Sequence, residues 1–128
     1  MPGSFTNTFE DEILNVVRGT TRTGWAGRFI GLFTVAPTES AAGTEVAGGS
    51  YARQAVTLGA PSGGVISNTG LISFPVPSAG WGTVVGWGLF EAVSGGTCLI
   101  YGDQTPNKTI DIGDIVEYAI GDIDVSLD

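Results

Sequence analysis

The chain has 128 residues, of which 42% are hydrophobic and 14% are charged, and its net charge is −8. This length suits one domain with one hydrophobic core, and the low charged fraction excludes an intrinsically disordered protein. Because the five basic residues are scattered and the net charge is negative, binding to nucleic acid or to an anionic membrane surface is not expected.

The first predicted element is a short amphipathic helix within residues 1–24, which we interpret as an N-terminal helix and arm. Thr8 can act as the N-cap, Asp11 completes a capping-box pattern, and Gly19 can end the helix. The apolar residues at helical spacing are Phe9, Ile13, Val16 and Val17. A helix of about ten residues is not stable alone, so this apolar face should pack on the chain's own sheet or on a neighbouring subunit.

Residues 25–128 are predicted to form a β domain that, together with the arm, makes a single globular domain. Its apolar runs are short and are separated by glycine, proline and polar residues. The runs lie at residues 28–35, 51–58, 65–67, 71–74, 83–90, 97–101, 108–112, 115–120 and 123–128. Eight or nine strands at this spacing favour an all-β fold, either an antiparallel sandwich or a jelly-roll-like barrel.

The connections between these runs carry further predictions. The small and polar residues 39–50 form a long loop, which is expected to be functional or mobile. Residues 68–70 should join two strands in a hairpin, and a polar loop containing Pro106 should separate two others. Glycines on both sides of Trp87 indicate a bend or the close approach of another backbone. In the last strand, Ile123, Val125 and Leu127 should share one dry face.

Residue types needed for common catalytic and metal sites are missing. The sequence has no histidine and one cysteine, which removes Ser-His triads, most zinc sites and iron–sulfur clusters. A paired-carboxylate mechanism is the enzymatic alternative that the 13 acidic residues leave open. The acids at 111, 114, 122 and 124 match turn residues better than a calcium loop. We therefore predict no enzyme activity, no cofactor, and neither catalytic nor metal-binding residues.

Cysteine and tryptophan positions are interpreted as packing positions. Cys98 lies in an apolar run without basic neighbours, which is typical of a buried, unreactive thiol. Core or interface packing is favoured for Trp25, Trp81 and Trp87, with a sugar-stacking groove as the alternative.

Several segments together resemble a family of small bacteriophage virion proteins, known as tail-fibre or decoration proteins. The stretches that carry the resemblance are residues 29–38, 43–56, 66–68, 72–75, 81–90 and 121–128, together with the N-terminal helix. The most specific part is the Gly-Gly-Ser-Tyr-Ala-Arg-Gln sequence at residues 48–54. The resemblance implies a non-catalytic virion component.

Two positions in the virion follow as hypotheses. The first is a capsid decoration (cement) protein that packs on major-capsid subunits, and the alternative is a tail or tail-fibre component that binds a host-surface glycan. An unrelated carbohydrate-binding sandwich or acid-dependent hydrolase is held in reserve. The partners would be the major capsid protein or tail proteins, with a homo-oligomer, a trimer by analogy, as the form of the chain.

The predicted location is the virion, after synthesis in the host cytoplasm, because the first residues have no signal-peptide pattern. The candidate protein-interface residues are Phe9, Ile13, Val17, Trp25, Tyr51, Arg53 and Trp81.

Overall fold

The computed structural model describes residues 2–127, which form ten strands and one helix. In chain order they are β1 (Pro2–Phe5), α1 (Asn7–Val17), β2 (Phe29–Val35), β3 (Thr44–Glu45), β4 (Gln54–Ala55), β5 (Val65–Ser67), β6 (Ile72–Ser73), β7 (Gly82–Phe90), β8 (Ile100–Ile110), β9 (Glu117–Tyr118) and β10 (Asp124–Ser126). The prediction of a sandwich-like all-β fold with one N-terminal helix is confirmed. Asp128, predicted at the end of the last strand, lies outside the described residues.

The sheet topology includes a parallel pairing that the predicted antiparallel arrangement lacks. Eight strands form one sheet in the order β3-β2-β7-β8-β1-β10-β5, with β4 also paired to β2, while β6 and β9 form a separate ribbon. The sheet is mixed rather than purely antiparallel, because β1 inserts between β8 and β10 and runs parallel to β10. The N-terminal arm therefore supplies an unpredicted strand to the sheet of the β domain.

The core is centred on β2, β7 and β8. Its buried side chains from these strands include Ile30, Leu32, Val84, Trp87, Leu89, Ile100 and Ile110. A Cβ atom added at Gly86 would lie 2.9 Å from the carbonyl oxygen of Gly102 on β8. The predicted close approach of another backbone beside Trp87 is therefore confirmed, and it explains why a glycine occupies position 86.

The helix begins earlier than its capping pattern predicted. Thr6, not Thr8, is the N-cap, and its side chain makes no capping hydrogen bond. Thr6 is buried, and its hydroxyl instead donates to the carbonyl oxygen of Leu99 at 3.1 Å. This bond ties the start of α1 to the chain just before β8. At the other end Gly19 has a φ of +104°, as expected for a helix stop.

The predicted strands at 97–101 and 108–112 are one long strand, β8. The polar segment between them is a bulge. On β7, Val84 pairs with Lys108 and Gly86 pairs with Asp103, so the four residues 104–107 of β8 lie opposite only Val85. Pro106 is tolerated there because a bulged residue donates no ladder hydrogen bond.

The predicted hairpin across residues 68–70 does not form. β5 pairs with β10, and β6 pairs with β9. Asn68 is buried between these elements, where its amide donates to the carbonyl of Ala119 at 3.0 Å and accepts from the backbone of Ile123 at 2.9 Å. The asparagine therefore joins β5 to a distant part of the chain, instead of turning the chain back on itself.

Candidate functional site

The seven predicted interface residues fall into two groups. Tyr51, Arg53 and Trp81 belong to an internal network beside β2, and both Arg53 and Trp81 are buried within the chain. The other four are Phe9, Ile13, Val17 and Trp25, which lie on α1 or against it. The structure thus does not bring the seven together into one surface.

The internal network is centred on an ion pair between Arg53 and Glu45. The guanidinium donates from Nε and Nη2 to both carboxylate oxygens, at 2.9 and 2.8 Å. Its Nη1 donates to the carbonyl oxygens of Ala92 and Gly95, at 2.8 and 2.7 Å. The guanidinium carbon also lies 3.4 Å from the centre of the Phe90 ring. Arg53 therefore clamps the loop after β7 against β3.

Tyr51 extends this network into the core. Its hydroxyl donates to Glu45 at 2.6 Å and accepts from the backbone of Leu32 at 2.9 Å. Burial by itself would raise the pKa of Glu45, but the hydrogen bonds from Arg53 and Tyr51 outweigh it and lower that pKa below 4.5. Burial and the bond to Glu45 raise the pKa of Tyr51. The predicted long loop at 39–50 is thus held by β3 and by a charged clamp.

Cys98 provides a first test of this packing. It is buried, its thiol donates to the carbonyl of Ile100 at 3.2 Å, and burial raises its pKa to about 12. We expect the folded protein at pH 8 to react with a thiol-specific disulfide reagent at least about 100-fold more slowly than the urea-unfolded chain, because little thiolate forms and access is blocked. Spectrophotometric titration of the single thiol measures both rates. Equal rates in the two states would contradict the packing.

Helix α1 docks on the sheet through only part of its apolar face. Phe9 packs on Phe5 and Trp25, with ring centres 5.0 and 5.3 Å away. Arg22 holds the following segment by ion pairs to Glu12 and Glu91, at 2.6 and 3.2 Å. By contrast, Val17 and its neighbours Leu14 and Val16 are exposed, and the side chain of Val17 is 78% accessible.

An apolar groove of about 320 Å³ lies between α1 and the sheet edge. Its lining consists of Phe5, Phe9, Ile13, Trp25, Arg28, Leu58, Ile66, Ile100, Val125 and Leu127. Arg28 is the one charged residue of this lining, and it has no ion-pair partner within residues 2–127. Leu127 was predicted on the dry face of the last strand, but it is exposed at this groove, whereas Ile123 and Val125 are buried.

A second exposed apolar feature is the turn formed by residues 111–115. Ile112 and Ile115 are 69% and 74% accessible. The backbone N–H of Asp111 donates to the carboxylate of Asp114 at 2.8 Å, and Gly113, with a φ of +83°, donates to Pro77 at 3.0 Å. The sequence pattern predicted strands at 108–112 and 115–120 joined by a turn, and it did not indicate that Ile112 and Ile115 are exposed.

The tryptophans are arranged for packing rather than for sugar stacking. Trp87 is fully buried, and Trp81 is buried with its indole N–H donating to the carbonyl of Gly49 at 2.9 Å. Trp25 is half-buried in the groove. Trp81 and Trp87 pack in the core, so the favoured interpretation of core or interface packing is confirmed for these two residues.

Within residues 2–127, no three His, Cys, Asp or Glu side chains lie close enough together to hold a metal ion. In the same part of the chain, the helix is neither long nor apolar enough to cross a bilayer.

The fold and surface define a small mixed-sheet β protein with a largely buried ion pair between Arg53 and Glu45 and with exposed aliphatic side chains on α1 and in the 111–115 turn. The family model described as "Podophage GP4 fiber I protein gp80" matches residues 4–126, so the chain belongs to this family of phage fibre proteins. A search of curated proteins finds no match. The resemblance to phage virion proteins is thereby confirmed, and the chain is a structural component of a phage virion.

Proposed function

We propose that this chain is a non-catalytic subunit of a phage fibre that works by packing against other virion proteins. The observation that carries the proposal is the family match over residues 4–126, which covers all of the strands except the start of β1. The fibre description therefore applies to the whole domain rather than to an appended segment. The sequence hypothesis of capsid decoration is the second candidate, and the name of the matching family supports the fibre.

The absence of catalysis is part of the proposal. The sequence contains no histidine, and the pKa of its one thiol is raised by burial. Glu45 is committed to the clamp with Arg53 and Tyr51, and it is not available as an acid or base. What the surface offers to a partner is shape and exposed aliphatic side chains such as Val17, Ile112 and Ile115.

The partners that fit this surface are proteins. Four of the five basic residues lie within residues 18–53, and two of these four are engaged in ion pairs, so little cationic surface remains for phosphate groups. We propose tail proteins and further copies of this chain as the partners. A glycan-binding role has less support, because Trp81 and Trp87 are buried and cannot stack on a sugar.

Labelling of intact virions tests the proposal. An epitope tag inserted at Gly63 should be tolerated, because this exposed turn has no heavy atom within 4 Å of an added Cβ atom. We expect antibody fragments against the tag to bind at the fibres in electron micrographs of tagged virions, with untagged virions as the control. Label spread over the capsid lattice would overturn the fibre assignment in favour of decoration.

A further inference from the structure

The groove and the 111–115 turn lie at opposite ends of the molecule. β1 runs antiparallel to β8 with Phe5 opposite Ile100, and α1 begins two residues later, so the groove lies beyond the Ile100 end of β8. The turn follows directly after Ile110 at the other end. On the neighbouring strand β7, the partners of Ile100 and Ile110 are Leu89 and Gly82, which lie seven residues apart, so that at about 3.3 Å per residue about 23 Å separates the two features.

The turn has the properties of a rigid apolar knob. Its two isoleucines are the two most exposed isoleucines among the described residues. The carboxylate of Asp114 and the contact of Gly113 with Pro77 hold its backbone in one conformation. Docking such a turn costs little conformational entropy, because its shape exists before binding.

The groove has the complementary properties. Aromatic and aliphatic side chains line it, and among residues 2–127 the cation of Arg28 is the one charged group of the lining. The turn carries two anions, Asp111 and Asp114. An aliphatic knob with anionic flanks therefore matches an apolar groove with a cationic lining residue.

We propose that the 111–115 turn of one copy of this chain binds in the groove of the next copy, which gives a head-to-tail assembly. This proposal rests on the proposed fibre role. Ile112 and Ile115 enter the groove, and Asp111 faces Arg28. Because the two contacting surfaces differ, the interface is heterologous, and repetition of it forms a ring or a filament.

The distribution of charge argues for a second copy as the occupant. Seven of the 13 acidic residues and only one of the five basic residues lie within residues 103–128, whereas the other four basic residues lie within residues 18–53. A two-fold contact of turn with turn would bring Asp111 and Asp114 of both copies together and would be repulsive. The contact of turn with groove instead places Asp111 of one copy opposite Arg28 of the next.

Two single variants and their mixture test the proposal by light scattering after size-exclusion chromatography. Ile115→Asp damages only the turn, and Arg28→Glu damages only the groove. We expect each to weaken self-association about 30-fold or more, as expected for a buried interface anchor. Their equimolar mixture should form a one-to-one dimer, because the intact turn of the Arg28→Glu chain still fits the intact groove of the Ile115→Asp chain.

A control variant and a charge-reversal variant that should restore assembly complete the test. Ile120 is 68% exposed but belongs to neither the turn nor the groove, so Ile120→Asp should assemble like the unaltered chain. Adding Asp111→Arg to Arg28→Glu should restore assembly by reversing both charges, and it leaves the carboxylate of Asp114 in place. Circular dichroism establishes that each variant is folded.

Three results would overturn the inference: a monomeric unaltered chain at about 100 µM, a mixture of the two variants that stays monomeric, or equal loss of assembly with Ile120→Asp. The virion label reports on the fibre role independently. If the label lies on the fibres but the purified chain is monomeric, only the head-to-tail contact is rejected. If the purified chain assembles but the label lies on the capsid, only the fibre role is rejected.

Discussion

Replacing Gly102 with alanine is expected to lower the free energy of unfolding by about 3 kcal/mol. A Cβ atom at this position would overlap the indole of Trp87 and would lie 2.8 Å from the backbone carbonyl oxygen of Pro2. Trp87 is fully buried and cannot move aside, so strain falls on β1, which pairs with β8 at this point. Urea unfolding followed by tryptophan fluorescence measures the loss.

Gly24→Ala is the matched control, since a Cβ atom at Gly24 meets nothing within 4 Å and its backbone needs no left-handed conformation. Its stability should stay within about 0.5 kcal/mol of the unaltered chain. A double-mutant cycle with Trp87→Phe should show coupling, because phenylalanine lacks the indole atoms that the new methyl group would strike. Gly102→Ala as stable as the control would contradict this account of the central sheet.

Replacing Arg53 with methionine is expected to lower the free energy of unfolding by about 3 to 5 kcal/mol at pH 7, the typical cost of removing one partner of a buried ion pair. The substitution leaves the carboxylate of Glu45 with only Tyr51 as a side-chain donor, and the carbonyls of Ala92 and Gly95 lose their partner. Chemical unfolding at several pH values measures the loss.

The pH dependence of this loss has a definite sign. In the unaltered chain the pKa of Glu45 is lowered, so the stability from its charged form is present above pH 4.5 and is lost as the pH falls through the folded-state pKa. Without Arg53, burial favours the protonated acid. The difference between the two proteins should therefore be largest near pH 7 and should shrink below pH 4.5. Arg18→Met serves as the control, because Arg18 is exposed and, within residues 2–127, its side chain is hydrogen-bonded only to Asn15. A difference in unfolding free energy between the unaltered chain and Arg53→Met that grows in acid would contradict the clamp.

The clamp explains the structural role of the segment that carries the most specific part of the family resemblance. The most specific stretch, residues 48–54, supplies Tyr51 and Arg53 to the network with Glu45, and Gly49 accepts the indole N–H of Trp81. This stretch therefore maintains the fold. The exposed residues that we propose for assembly lie elsewhere, at residues 28 and 111–115.

The candidate surface was only partly predictable. The 3.6-residue spacing of Phe9, Ile13 and Val17 correctly indicated an apolar helix face, but spacing does not say how much of that face the same chain covers. Phe9 packs on Trp25, while Val17 is left exposed. Ile112 and Ile115 were assigned to strands, because an isoleucine beside a turn has the same local pattern whether it faces the core or the solvent.

Local patterns in the sequence were sufficient for the class of fold, the short helix, β2, β7 and the buried thiol, because each depends on hydrophobic periodicity, on turn residues or on the neighbours of one side chain. They were insufficient for the parallel pairing of β1 with β10, the bridging role of Asn68 and the clamp between Glu45 and Arg53. These features join residues far apart along the chain, and their partners become neighbours only when the complete sheet has packed. The same is true of the groove and the turn, whose positions at opposite ends of β8 follow from strand register and not from any motif.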